Sequence, residues 1–263
     1  MPETDLALLA RAAEEAGRIA KRFFGRGPRV TDKPDGLGPV TEADLAVNAM
    51  LEEMLRAERP DYGWLSEESR DGPARLKTRR QFVVDPIDGT RAFIEKGRDW
   101  SHALAVVEDG EVIAGAVHLP MRDAMFLAEK GGGAFLNDTP IRVTETDLEA
   151  ATLLATKPNF DPKHWVGGVL PPVKRAFRSS LAYRMCLVAE GRFDGMLTLR
   201  PSWEWDIAAG SLIAAEAGAR VTDQHGTALR FNNAHPQLPG VVAAGPALHQ
   251  ALSTRLEGAG PSA

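Results

Sequence analysis

The segment Phe82-Val83-Val84-Asp85-Pro86-Ile87-Asp88-Gly89-Thr90 carries the densest chemistry in the chain. An apolar, strand-like run ends in two carboxylates, Asp85 and Asp88, set across a Pro-containing turn. Gly89 and Thr90 then open a helical start through Phe93. Two acids so placed repel each other unless a cation lies between them. The Gly-Thr pair can offer backbone amides and a hydroxyl to an anion. A divalent metal beside a phosphate follows from that grouping. Asp-Pro and Asp-Gly are also ordinary turn vocabulary, so the segment alone reads equally as a solvated turn. Further acids bear on the choice: Glu67 in Trp64-Leu65-Ser66-Glu67-Glu68-Ser69, and Asp206 in Trp203-Glu204-Trp205-Asp206-Ile207-Ala208-Ala209-Gly210. Taken singly, the two glutamates read as loop charges and Asp206 as a helix-capping or first-turn acid.

The elements that must position these acids are legible as patterns. Apolar residues at three-to-four spacing (Leu6, Leu9, Ala13, Ala16, Ile19, Phe23) predict an amphipathic helix over 5–24. A Gly/Pro-rich loop spans Thr31 to Pro39, and Thr41 reads as the N-cap of a second helix over 42–58, with Asp44 in its first turn. Strands are predicted at 81–84, 102–108, 112–118 and 124–128, with an Asp-Gly hairpin around Glu108-Asp109-Gly110-Glu111. Residues 1–149 thus read as two helices on a meandering antiparallel sheet, bearing most of the acids. Residues 150–263 read as a smaller α/β half that contributes Asp206: strands 151–156, 195–199, 220–222 and 241–244, helices 180–190, 206–217 and 246–256. The Gly258–Ala263 tail is expected to fray.

Bulk properties exclude several classes. The chain has 263 residues, 44% hydrophobic and 25% charged, with a net charge of −5. That weak acidity, with no basic stripe, argues against a nucleic-acid polymer as partner, and no apolar run approaches membrane-spanning length. One cysteine, Cys186, cannot form an intrachain disulfide and fits a reducing cytoplasm; its apolar neighbours predict a buried thiol. Six scattered histidines show no zinc spacing.

Four motifs in order, Val40-Thr41-x-x-Asp44, Glu67-Glu68, Asp85-Pro86-Ile87-Asp88-Gly89-Thr90 and Trp205-Asp206-x-Ala208-Ala209-Gly210, resemble the inositol monophosphatase superfamily of Mg²⁺-dependent, lithium-sensitive phosphatases. The resemblance spans nearly the whole chain. It implies an α/β fold of α+β character, a layered αβαβα sandwich, and a phosphoric monoester hydrolase. It implies one ion on Glu67, Asp85 and the carbonyl of Ile87, a second on Asp85, Asp88 and Asp206, and room for a third near Glu67. Mn²⁺ would substitute for Mg²⁺ in such an all-oxygen site. Thr90 would aim the attacking water and Asp44 accept the threonine proton, while the substrate phosphate lies on Asp88 and the Gly89-Thr90 amides. A homodimer is the family expectation. The D-x-D-G-T phosphatases, phosphorylated on their first Asp, are excluded on the sequence: aligning Asp88-Gly89-Thr90 with that motif puts Pro86 at the nucleophile position.

Substrate choice leans without being fixed. Inositol monophosphatases commonly place an acid seven positions before the helix Asp, and here that position is Leu199. Gly38-Pro39-Val40-Thr41, Arg91-Ala92-Phe93-Ile94 and Glu204-Trp205-Asp206 look more like the 3′(2′),5′-bisphosphate nucleotidases, which convert 3′-phosphoadenosine 5′-phosphate to AMP. Arg200, Arg184 or Lys157 could meet the second phosphate, and Glu204 joins the candidate wall. Lys33 resembles the family's mobile-loop lysine. Trp203 could stack on a base, whereas Trp205 is expected in the core. Inositol 1-phosphate and histidinol phosphate are the alternative substrates. A regulatory, protein-binding module with a vestigial site is the alternative of another kind, and the full set of acids with Thr90 argues against it.

Overall fold

The computed structural model describes residues 3–36 and 38–258, so most of the tail expected to fray lies outside the described residues. Helix α1 (Asp5–Phe23) starts where Thr4 accepts the amide of Ala7 at 3.2 Å. It buries Leu8, Leu9, Ala12, Ala13, Ala16 and Ala20; each fully buried leucine is worth about 1.5–3 kcal/mol. The stretch expected as loop pairs as a short antiparallel hairpin, β1 (Val30–Asp32) with β2 (Pro39–Thr41). Helix α2 (Glu42–Glu58) follows directly behind a capping box formed by Thr41 and Asp44.

Both helices cover one face of a seven-stranded sheet ordered β3 (Gly63–Ser66), β4 (Arg80–Asp88), β5 (Ser101–Glu108), β6 (Glu111–Leu119), β7 (Ala124–Glu129), β8 (Gly133–Leu136) and β9 (Thr139–Pro140). The β3–β4 pair is parallel and the rest antiparallel. The β5–β6 hairpin turns at Asp109 (φ 50°) and Gly110 (φ 84°), two positive φ values as a tight type I′ connection requires. Alternation divides the layers: Phe82, Val84, Leu104 and Val106 pack with α1 and α2, while Val83, Ala103, Ala105 and Val107 face the other way.

On that second face lie α4 (Leu181–Ala189) and α5 (Glu204–Glu216), with the single-turn α3 (Thr90–Ile94) between β4 and β5. Beyond them stands a five-stranded sheet ordered β11 (Lys174–Ala176), β10 (Thr152–Leu154), β12 (Gly195–Thr198), β16 (Val241–Ala244) and β14 (Arg220–Thr222). Its inner residues Leu154, Met196, Val241 and Ala243 join the α4/α5 core, and its outer residues Leu153, Leu197, Val242 and Ala244 pack against α6 (Pro246–Ser253). A two-residue pairing of β13 (Ser202–Trp203) with β15 (Gln237–Leu238) completes the sheets. The layers read α, β, α, β, α. Sandwiched between two sheets, α5 has no polar face to show, which is why its sequence is Ala-rich. At Gly210 an added Cβ would sit 2.7 Å from Met185 Cε and 3.2 Å from the Ala182 carbonyl of α4.

Candidate active site

Asp85 and Asp88 are not across a turn. Strand β4 runs on through Asp88, and its ladder with β5 pairs Asp85 with Ala103 and Asp88 with Ser101. Pro86 and Ile87 therefore oppose the single residue His102, a bulge of the kind that re-aims side chains at a sheet end. The proline cannot donate to a ladder, so the strand departs from regular pairing there. Gly89 follows at φ 98°, where a Cβ would meet the Asp99 carbonyl at 3.1 Å, and α3 starts at Thr90.

Around this strand end the other acids converge. One carboxylate oxygen each from Glu67, Asp85 and Asp206 lie within 4.8 Å of one another. Glu67 arrives from the end of β3, and Asp206 is the third residue of α5, which begins two residues earlier than its periodicity predicts. Asp88 turns Oδ2 to the N-terminus of α4, accepting the Ser180 hydroxyl at 2.6 Å and the Ala182 amide at 2.8 Å. Asp85 Oδ1 accepts the Ile87 amide at 3.0 Å. Asp44 is fully buried; its Oδ2 takes the Thr41 amide at 2.9 Å and hydroxyl at 2.6 Å, and its Oδ1 lies 3.2 Å from the Thr90 hydroxyl. That hydroxyl also lies 3.1 Å from the Ile87 carbonyl. Lys33 reaches across from the β1–β2 hairpin to Glu67 at 2.7 Å and Glu68 at 2.6 Å.

The electrostatics ask for a cation. Burial, reinforced by Glu67, Asp88 and Asp206, pushes Asp85 well above the usual carboxylate range. Burial, then Asp88 and Glu67, does the same to Asp206. Burial raises Asp88 to about 6 even though Ser180 and the Ala182 amide favour its charged form, and burial next to Glu67 lifts Glu68 to about 7. Three converging carboxylates with no nitrogen or sulfur donor among them suit a hard divalent ion. Beside them opens a cavity of about 360 Å³ whose walls include Glu67, Asp85, Asp88, Gly89, Thr90, Asp206, Arg184 and Arg200. Arg184 is itself buried, donating Nε to the Arg178 carbonyl at 2.6 Å and stacking its guanidinium 4.6 Å from the Phe177 ring. Burial lowers it to about 10, so it stays charged.

Two residues named as substrate-wall candidates stand apart from this cavity. Lys157 is exposed on a 3₁₀ turn and is not among the residues lining the cavity. Glu204 is buried, and both its oxygens are taken by the backbone amides of Asn232 and Asn233 and the Asn233 side chain; it ties down that loop. Trp203 and Trp205 stack on each other, 4.7 Å apart at 8°. Cys186 is buried as expected. Sequence reasoning missed Ser180, Ser101 and His102. Ser180 precedes a helical pattern and could have been read as an N-cap, but its link to Asp88, 92 positions away, has no local signal. Ser101 backs it at 3.0 Å. His102 holds its Nδ1 against the Pro86 carbonyl, and burial takes its ring down to about 3, so it is neutral.

Comparisons with known proteins identify the family. The model of the Inositol monophosphatase family matches residues 1–259. A histidinol-phosphatase of Mycobacterium tuberculosis is 33% identical, covering 97% of this chain and 99% of its own. A 3′(2′),5′-bisphosphate nucleotidase of Escherichia coli is 32% identical over 85% of this chain and 91% of its own. The solved structure of an IMPase from Thermotoga maritima superposes with a TM-score of 0.80 at 30% identity, covering 94% of each chain. With a family match over residues 1–259 and the same layered fold in its solved relatives, this chain belongs to the inositol monophosphatase family and is a phosphomonoesterase.

Proposed function

We propose that the chain is a Mg²⁺-dependent phosphatase for a small ester carrying a second anionic group, a 3′(2′),5′-bisphosphate nucleotide such as 3′-phosphoadenosine 5′-phosphate. The observation that carries this reading is the pair of guanidinium groups, Arg184 and Arg200, lining the same cavity as the acids. One phosphate belongs with the acids' cations, and the arginines suit another. Leu199, where a polyol would want an acceptor, is buried in the core cluster behind α6 and offers none. Histidinol phosphate carries an ammonium group that two arginines would oppose.

Glu67, Asp85 and the Ile87 carbonyl would hold one ion, and Asp85, Asp88 and Asp206 another. Bound there, Mg²⁺ supplies charge stabilisation for the phosphoryl oxygens and acidifies a water molecule. The chain's own residues do the rest. Thr41 locks Asp44 through two donors, and Asp44 takes the Thr90 proton. The Thr90 oxygen is then left as an acceptor, which holds a proton of the attacking water and fixes its line of approach. Gly89 and Thr90 open α3 with backbone amides suited to phosphate oxygens.

The deciding experiment compares kcat/KM with Mg²⁺ on 3′-phosphoadenosine 5′-phosphate, inositol 1-phosphate and histidinol phosphate. The bisphosphate should lead, and Arg200→Ala should raise its KM roughly tenfold, as for one lost charge-assisted bond, while leaving the monophosphates unchanged. A preference for inositol 1-phosphate, or an Arg200→Ala enzyme indifferent to the second phosphate, would overturn the substrate assignment.

A further inference from the structure

The bulge in β4 has a side-chain support that no metal or substrate contact accounts for. His102 is the one β5 residue facing both Pro86 and Ile87, and its ring is fully buried. Its Nδ1 lies within hydrogen-bonding distance of the Pro86 carbonyl. A carbonyl only accepts, so the neutral ring carries its proton on Nδ1. Nε2 has no partner among the described residues. Trp100 packs edge-on to the ring at 5.5 Å, and His118 lies 6.0 Å away, with its own Nδ1 on the Ala13 carbonyl of α1. The Pro86 carbonyl is thus the single hydrogen-bond partner of the His102 ring among the described residues.

The carbonyl of Pro86 and the amide of Ile87 are two ends of one planar peptide unit. The first accepts from His102; the second donates to Asp85 Oδ1 at 3.0 Å. We propose that His102 is a positioning residue, which clamps this peptide and, through the Ile87 amide on Asp85 Oδ1, fixes how the Asp85 carboxylate is presented to the acidic cluster. Hydrogen bonding at the carbonyl also polarises the amide at the other end, so the tether to Asp85 is strengthened. The imidazole supplies the Pro86 carbonyl with a donor from β5 at the point where the bulge interrupts the regular ladder. The inference rests on the metal reading of the acidic cluster.

The test uses His102→Asn, whose side-chain amide can place a donor near the position of Nδ1, beside His102→Leu, which has none, and His102→Gln, whose donor sits too far out to reach Pro86. Mg²⁺ is titrated calorimetrically into each protein, and thermal midpoints are taken in EDTA. Loss of an outer hydrogen bond to a ligand costs about 10–100-fold in metal affinity, so His102→Leu and His102→Gln should bind Mg²⁺ at least tenfold more weakly. His102→Asn should stay within about threefold of wild type. A purely structural histidine would lower the midpoints and leave the Mg²⁺ affinity of the folded fraction alone. If His102→Leu does not fold, His102→Gln against His102→Asn carries the same comparison. Wild-type Mg²⁺ affinity in the Leu or Gln variant, or an Asn variant as weak as these, would overturn the assignment. A wild-type protein that takes up no Mg²⁺ is a different result: it would remove the metal reading itself, and this assignment with it.

Discussion

Asp206→Asn should make the protein more stable without metal and useless with it. The oxygens of Glu67, Asp85 and Asp206 lie within 4.8 Å of one another. At that distance and an effective dielectric of 20, each like-charged pair costs about 3.5 kcal/mol. Protonation of the weaker acids relieves part of this. Asp206 also draws some attraction from Arg200 and Lys33, and its place in the first turn of α5 favours a negative charge by 0.3–1 kcal/mol, roughly. No hydrogen bond of its side chain is lost among the described residues, so the net gain on removing the charge is about 2 kcal/mol. For a chain of this length that is a rise of about 4–8 °C in Tm. The pH dependence has a definite sign. The folded-state pKa of Asp206 lies above its unfolded value, so between the two the folded chain binds more protons and stability falls as pH rises. In EDTA the advantage of the variant should therefore be absent near pH 4 and grow towards pH 8. Adding Mg²⁺ should reverse the order, since wild type gains by binding and the variant does not. Thermal scans in EDTA and in Mg²⁺ across this pH range make the test. An Asp206→Asn protein no more stable than wild type in EDTA at pH 7.5 would refute the repulsive cluster.

Two further substitutions separate roles within the site. Thr90→Val removes the hydroxyl that Asp44 and the Ile87 carbonyl orient; kcat should fall by about 10²–10⁴, as for a lost proton-handling group, with calorimetric Mg²⁺ affinity unchanged, and a parallel loss of metal would contradict the assignment. Ser180→Ala removes both the cap on the Tyr183 amide at 2.9 Å and the donor to Asp88, at about 1 kcal/mol for the cap and 1.5–3 kcal/mol for the charged bond. Because Ser180 sits at φ 60°, Ser180→Gly should lose less stability than Ser180→Ala yet lose as much Mg²⁺ affinity; equal stability losses would show that backbone strain is immaterial there.

The long elements were legible because their signals are local. Thr41 and Asp44 announced α2, the Asp109-Gly110 pair announced the β5–β6 turn, and both stand where the sequence puts them. The acids were legible because a cation site concentrates one residue type. What sequence could not carry was the bulge. Asp-Pro-Ile-Asp reads as a turn by propensity, but pairing with β5 on both sides of it keeps the chain extended, so tertiary context decided. The misplaced start of α5 has a similar cause: Glu204, at its first position, holds the Asn232–Asn233 loop, so an acid that looked like part of the substrate wall serves the scaffold.

Ser180 and His102 illustrate a general asymmetry in such a site. In Asp85 and Asp88, one of the two carboxylate oxygens is held by the chain's own donors. For Asp88 the holder is the N-terminus of α4, and for Asp85 it is the amide of its own bulge. These supports come from α4 and from β5, neither adjacent in sequence to the acid it serves, and they are a serine and a histidine with no shared pattern. A ligand set is written in the chain as a cluster of like residues, because the metal imposes one chemistry on all of them. Its supports are written as whatever the nearest element happens to present, so they emerge only once the layers are stacked. The cavity's arginines follow the same logic: the sequence offers Arg184 and Arg200 beside Lys157 without ranking them, and it is the fold that brings Arg184 from α4 and Arg200 from the segment after β12 to one cavity and leaves Lys157 outside it.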